Sequence, residues 1–283
     1  MPPTQTIKQV IATVFKPNGL ITLTTDFGTH DPFVGVMKGV ILSRFTSAKI
    51  VDLTHEIPAY LPATAGFWLS RSWPYFSAGT VHLAVVDPGV GTARGMVLLQ
   101  AAQQVFIAPD NGLLDAVARS VVEPEWWRIE LDSLQGIVAA KPSNTFHGRD
   151  IFAPLVAEIA AGRLLPEAVG TKILEPDTSR STAAAMTAGE YSGHIVAIDH
   201  FGNLITNLDG VELHHFLRPE IHFHEQVFVL QDTYGAAAPG AIVAVVNSFG
   251  VIELAQAQGN AQRHFGANCG ERVRVCEANG SKD

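Results

Sequence analysis

Apolar positions cluster into short runs through the first half of the chain, separated by polar turns. Residues 20–24, 48–53, 81–86, 96–99 and 105–108 are rich in Val, Ile and Leu and are short enough to be strands. Between the first two of these, residues 31–45 place Phe33, Val34, Met37, Val40 and Ile41 on one stripe, the spacing of an amphipathic helix. Asp31 is expected as its N-cap, with Pro32 in the first helical position. The three segments form a β-α-β unit. Further helices are predicted over residues 63–73, 112–119 and 150–161. This alternation implies an α/β domain whose largely parallel or mixed sheet is flanked by helices, with ligands beyond the carboxyl ends of the strands.

The pattern changes after about residue 165. Pro166, Pro176 and a Ser/Thr/Ala-rich run over residues 178–188 read as a connector. Short apolar runs at 194–198, 227–231, 242–247, 251–255 and 272–275 then alternate with Gly, Asn and Pro turns, as in a small β sandwich or barrel. The expected organisation is an N-terminal extension (1–18), an α/β domain (19–176), a linker (177–190) and a smaller, mostly-β C-terminal domain (191–283).

Composition narrows the function. The 283 residues are 47% hydrophobic and 16% charged, with a net charge of −8, and the 19 Lys and Arg form no block. A nucleic-acid partner is not expected, because phosphate-backbone binding draws on clustered basic residues. Mean hydropathy is +0.19, yet no apolar run is long enough for a membrane span, so the excess suggests a covered subunit interface. The apolar patch after Lys8 is short for a secretory signal. Cys269 and Cys276 make no disulfide framework, and a cytoplasmic protein with free thiols is expected.

Candidate chemistry sits in three polar turns, which suggest one shared pocket. Thr145-Phe146-His147-Gly148-Arg149-Asp150 gathers an imidazole, a guanidinium and an acid around a glycine that would let a ligand approach, with Asp150 placed to cap the following helix. Asp87-Pro88-Gly89-Val90-Gly91-Thr92-Ala93-Arg94 turns sharply at a strand end, so that Arg94 can return toward Asp87; alone, such a pair is more often structural than catalytic. Asp199-His200-Phe201-Gly202-Asn203 repeats the arrangement. Asp26 follows the first strand, suited either to ribose hydroxyls or to an Asx-turn. The glycines from Gly89 to Gly95 are no dinucleotide fingerprint, because a strand-like run follows where a helix is required. His222 and His224 would share a strand face, but no further ligand is spaced for a metal, so none is expected. Trp68, Trp73, Tyr75 and Phe76 are read as packing residues before a stacking platform.

Taken together, these residues resemble the S-adenosyl-L-methionine hydroxide adenosyltransferases, relatives of the fluorinating and chlorinating enzymes. The likeness runs from about Ile21 to Val275 through Thr25-Asp26-Phe27-Gly28, Val51-Asp52-Leu53-Thr54-His55, Val86-Asp87-Pro88-Gly89-Val90-Gly91-Thr92, Ala108-Pro109-Asp110-Asn111-Gly112, the His147 segment, Phe201-Gly202-Asn203 and Asn247-Ser248. The resemblance implies hydrolysis of S-adenosyl-L-methionine (SAM) to adenosine and methionine. It implies that Asp87, Arg94 and His147 direct water, that Asp26 binds ribose, and that Asp199, Phe201, Asn203 and Ser248 hold the methionine part. It also implies a homotrimer with sites between the first domain of one subunit and the second of its neighbour, and no cofactor besides the substrate. The fluorinating branch carries an insertion between the segments matching Met96 and Pro109 and lacks the histidine. This chain has no insertion, keeps His147, and carries Phe249 where that branch has arginine. Hydrolysis is thus favoured over halide transfer, with a SAM or adenosine sensor as the other alternative.

Overall fold

The computed structural model describes residues 15–177, 183–187 and 189–278. Most of the expected N-terminal extension and part of the expected linker lie outside them. The chain divides into two compact units at residues 180/181. In the first unit the elements run β1 (Leu20–Thr25), α1 (Phe33–Arg44), β2 (Lys49–Thr54), α2 (Pro62–Ser72), β3 (Val81–Val85), β4 (Met96–Ala101), β5 (Gln104–Pro109), α3 (Asp115–Arg119), β6 (Glu125–Ile129), α4 (Ala153–Ala160) and β7 (Gly170–Ile173). The sheet order is β2-β1-β3-β5-β4-β6-β7.

The sheet is mixed. Strands β2, β1, β3 and β5 are parallel, as β-α-β crossovers require, and β4, β6 and β7 join antiparallel. β5 follows β4 through a two-residue turn at Ala102 and Gln103, both with positive φ, the hairpin geometry that matches strand twist. Each central strand is apolar on both faces because helices cover both. Leu83, Val85, Leu98 and Ile107 pack with Met37 and Ile41 of α1 and Leu155 and Ile159 of α4. Their neighbours Ala84, Val86, Val97, Leu99, Phe106 and Ala108 face Ala65 and Leu69 of α2 and Val117 of α3.

Helix α1 corrects one expectation. It begins at Phe33 with Pro32 in the cap position and no side-chain cap, so Asp31 lies outside it. Val34, Met37 and Ile41 are buried as the stripe requires, while Phe33 stays exposed.

The second unit holds β8 (Ala185–Thr187), β9 (Glu190–Ile198), β10 (Leu204–Asp209), β11 (Pro219–Phe223), β12 (Gln226–Val229), β13 (Ile242–Val246), β14 (Val251–Gln256), a short helix α5 (Ala261–Phe265) and β15 (Arg272–Glu277). Its antiparallel order is β12-β11-β15-β9-β10-β14-β13, with β8 on β9. A bridge from Leu230 to Ala244 joins the two ends of this path, so the sheet nearly closes into a barrel. Its core contains Ile195, Leu204, Leu208, Ile221, Phe223, Ile252, Leu254, Val273 and Val275.

Candidate active site

β1 and β3 are neighbours in register, Thr25 opposite Val85, so Asp26 and Asp87 emerge side by side at the carboxyl edge of the parallel strands. β4 starts at that same edge, since Met96 pairs with Pro109 at the end of β5, and this brings Arg94 back to Asp87. Arg94 Nε donates to Asp87 Oδ1 at 3.0 Å while Nη2 donates to Oδ2, a bidentate pair with both side chains at least nine-tenths buried. Nη1 donates to the Gly95 carbonyl at 2.6 Å, and Nη2 lies 3.3 Å from His147 Nδ1. Phe152 lies under the guanidinium, its ring centre 5.9 Å from Cζ.

The packing that joins the two turns is specific. Gly91 has φ +77°, and a Cβ there would stand 2.1 Å from the Asn144 carbonyl oxygen. Only glycine lets the Asp87–Arg94 turn lie flat on the segment that delivers His147. That segment is fixed by Ser143, whose amide donates to Asp150 Oδ2 at 2.8 Å and whose hydroxyl accepts the Phe146 amide at 3.0 Å. Residues 148–152 form a π-helical turn ahead of α4, so Asp150 caps no helix; it braces this loop and pairs with Arg149. Gly148 is likewise a packing residue, since a Cβ would stand 3.1 Å from both Met37 Sδ and the Phe146 ring.

Burial, then the charge of Arg94, hold the His147 imidazole below its ordinary pKa, against the weaker pull of Asp87 and Asp150. The ring is therefore neutral near pH 7. With Nδ1 facing a guanidinium N–H, the ring nitrogen that carries the proton is assigned as Nε2. Asp26 is pushed up by burial and by the charge of Asp87, and is opposed by the amide of Tyr60, which donates to Oδ2 at 3.2 Å, and by its own amide.

The second unit carries its own polar turn. Asp199 Oδ1 accepts the amides of Phe201 and Asn203, each at 2.9 Å, and Oδ2 accepts Asn203 Nδ2 at 2.9 Å, so the carboxylate shapes its own turn. Phe201 is 70% exposed. Ser248 is exposed at the β13–β14 turn, where the Asn247 side chain accepts the Phe249 amide at 2.9 Å. Beside this turn Glu253 is buried, accepting from Tyr234 Oη at 2.7 Å and Asn247 Nδ2 at 3.0 Å. Burial pushes its carboxyl pKa up, and the charge of Asp199 adds to that.

Residues 21–170 match the model of the SAM hydroxide adenosyltransferase N-terminal domain, and residues 193–274 match that of the C-terminal domain. The chain belongs to the SAM hydroxide adenosyltransferase family. It is 35% identical over 271 residues to a protein of Salinispora tropica named (R)-S-adenosyl-L-methionine hydrolase, covering 92% of this chain and 98% of that one. A protein of the same name from Thermus thermophilus is 36% identical over 258 residues, covering 89% and 97%. A fluorinase of Actinoplanes is more distant, at 28% identity over 92% of this chain and 98% of its own. A crystal structure of an uncharacterized conserved protein from Thermotoga maritima superimposes with a TM-score of 0.81 at 32% identity, covering 91% and 100%.

In this hydroxide adenosyltransferase, Asp26, Asp87, Arg94 and His147 come from one unit, and Asp199, Phe201, Asn203 and Ser248 from the other. Two groups at these edges had no role assigned from sequence. His55 stands in a quoted motif, but its partner Thr25 is one strand away. Glu253 shows as a lone charge inside the apolar run 251–255. Among the described residues, no three of His, Cys, Asp and Glu are arranged to hold a metal ion. His224 is not on a strand face with His222; it sits with φ +51° in the turn after β11 and lies 2.8 Å from Glu271. Trp73 packs on Phe106 and bonds Ser120, whereas Tyr75 is exposed. No helix among the described residues is long and apolar enough to cross a membrane.

Proposed function

We propose that this protein hydrolyses SAM to adenosine and L-methionine, with a water oxygen attacking the ribose 5′ carbon. The observation that carries this reading is the Arg94 guanidinium, locked by Asp87 and facing a neutral His147. The C5′–O bond forms as the C5′–S bond breaks, its electron pair goes to sulfur, and the water proton passes to solvent. Sulfur leaves as a neutral thioether, so no general acid is needed. The demand falls on the nucleophile. A base contributes about 10²–10⁴-fold, whereas alignment contributes up to about 7–11 kcal/mol, so positioning outweighs proton removal.

The donors left over suit that task. All but one of the Arg94 N–H groups are engaged, and the remaining one is on Nη1. His147 offers Nε2–H. Both donate to oxygen lone pairs and so orient water and stabilise hydroxide character. Asp26 takes the ribose hydroxyls; Asp199, Phe201, Asn203 and Ser248 take the methionine part.

No metal or further cofactor enters this scheme, and the protein acts in the cytoplasm. The assembly proposed is a homotrimer, the first domain of one subunit facing the second domain of its neighbour. Phe33, Val36 and Leu42 support an interface, since all three apolar side chains of α1 stand exposed. The test is incubation with SAM and chromatography of the products, with chloride and chelator arms and a measured mass in solution. Adenosine plus methionine is expected. Binding without products indicates a sensor, 5′-chloro-5′-deoxyadenosine a halide transferase, and loss of activity to chelator a metal enzyme.

A further inference from the structure

We propose that His55 is a positioning residue for Asp26, gripping from both sides the turn that carries this carboxylate. His55 follows β2, the neighbour of β1, and its side chain is 3% exposed. Its Nδ1 lies 2.8 Å from Thr25 Oγ1, on the residue before Asp26. Its carbonyl accepts the amide of Gly28 at 2.8 Å, two residues after Asp26. Thr25 Oγ1 in turn accepts the Phe27 amide at 3.2 Å.

The donors run in one direction. Because the Thr25 hydroxyl already accepts the Phe27 N–H, its own proton is assigned to His55 Nδ1, which leaves the ring proton on Nε2, on the side of Asp52. Nε2 is 3.0 Å from Asp52 Oδ1, a close approach whose geometry falls short of a hydrogen bond. Lys38 Nζ stands 2.5 Å from the other oxygen of Asp52. Burial raises the Asp52 carboxyl pKa, but Lys38 and His55 outweigh it, so the relay ends on a charged group.

The same loop reaches Asp26 directly. Tyr60 holds φ +66°, an uncommon conformation for a bulky residue, and its amide occupies Asp26 Oδ2. Oδ1 is the oxygen that Tyr60 leaves for the ribose. Every bond around Asp26 thus comes from its own turn or from residues 55–60, and an orientation error of about 1 Å at a binding carboxylate is enough to lose the contact.

The inference rests on the SAM-hydrolase reading, with Asp26 as the ribose acceptor. The experiment compares His55→Ala, His55→Asn and Thr25→Val with wild type, measuring kcat and KM for SAM and Kd for adenosine by calorimetry. His55→Ala and Thr25→Val are expected to raise KM and the adenosine Kd about tenfold, the size of one lost hydrogen bond. Their kcat should stay within about twofold. His55→Asn, which keeps an acceptor near Nδ1, should recover most of the binding. A folded His55→Ala with unchanged adenosine affinity, or with a loss confined to kcat, overturns the proposal. If that variant does not fold, the near-isosteric Thr25→Val decides on the same criterion. Wild type failing to bind adenosine overturns the hydrolase reading itself and this inference with it.

Discussion

Arg94 presents Nη2 to Nδ1 of His147 at 3.3 Å, while Asp87 holds the same guanidinium from its other edge. The acid therefore serves the arginine and touches the histidine only through it. Replacing Asp87 by Asn should misplace Arg94, and Arg94→Lys should not rescue function, because an ammonium cannot reproduce the bidentate contact. Arg94→Ala, His147→Ala and Asp87→Asn are each expected to lower kcat about 10²–10⁴-fold with a smaller change in KM. Steady-state kinetics with SAM provide the check.

A pH profile tests the protonation state of His147. Burial and Arg94 both favour the neutral ring, so its acid limb should lie below the ordinary value of 6.5. Activity should hold at pH 6.5 and fall at lower pH as Nδ1 gains a proton that repels Arg94. His147→Gln should lose that limb along with most of the rate. A limb at or above 6.5 would contradict the arrangement.

Asp26→Ala should act mainly on binding, raising KM about tenfold or more with a smaller change in kcat, because the role proposed for its carboxylate is at the ribose rather than the nucleophile. Kd for adenosine gives the same answer without turnover.

Stability should depend on His82. The ring is buried between Thr22 Oγ1 at 2.7 Å and Gln104 Oε1 at 2.6 Å and stacks on Phe106, and burial depresses its pKa from 6.5 to about 4. Below pH 6.5 the unfolded chain takes up a proton that the folded chain refuses, so stability falls with falling pH, and the effect is complete near pH 4. The slope from this group is about 1.4 kcal/mol per pH unit. Urea melts across that range, compared with His82→Gln, measure it.

Gly91→Ala places a methyl group 2.1 Å from the Asn144 carbonyl oxygen and forces a side chain into φ +77°. A loss of about 1–3 kcal/mol is expected, accompanied by a fall in kcat as the Arg94 turn lifts away from His147. Thermal melts and kinetics on one preparation separate the two effects.

Much of the first domain is legible in its apolar rhythm. β1, α1, β2 and β3 fall where the runs predict: β1 and β3 are buried almost throughout and α1 along Val34, Met37 and Ile41, while β2, at the sheet edge, keeps an apolar run without a fully buried residue. β6 and β7 are not visible in the pattern: Glu125–Ile129 carries two adjacent tryptophans that are both buried, one against each face of the sheet, between charged neighbours. β10 escaped notice because Asn207 interrupts its run, and that side chain instead accepts the His194 amide on β9 at 2.8 Å. The three polar turns could be read from their residue types, but the choice of Arg94 over His147 as the partner of Asp87 could not. It depends on β4 returning antiparallel beside β5. The link from His55 to Thr25 is hidden for a similar reason, since it crosses two parallel strands thirty positions apart.

The near-closure of the second sheet has a consequence for how that domain fails. Its outermost strands meet through the Leu230–Ala244 bridge, where the Gln231 amide also donates to the Ala244 carbonyl at 2.8 Å. Each terminal strand shields the other from recruitment by a foreign polypeptide. Opening of that slender seam would bare both strand edges at once, and exchange of the Gln231 amide would report it.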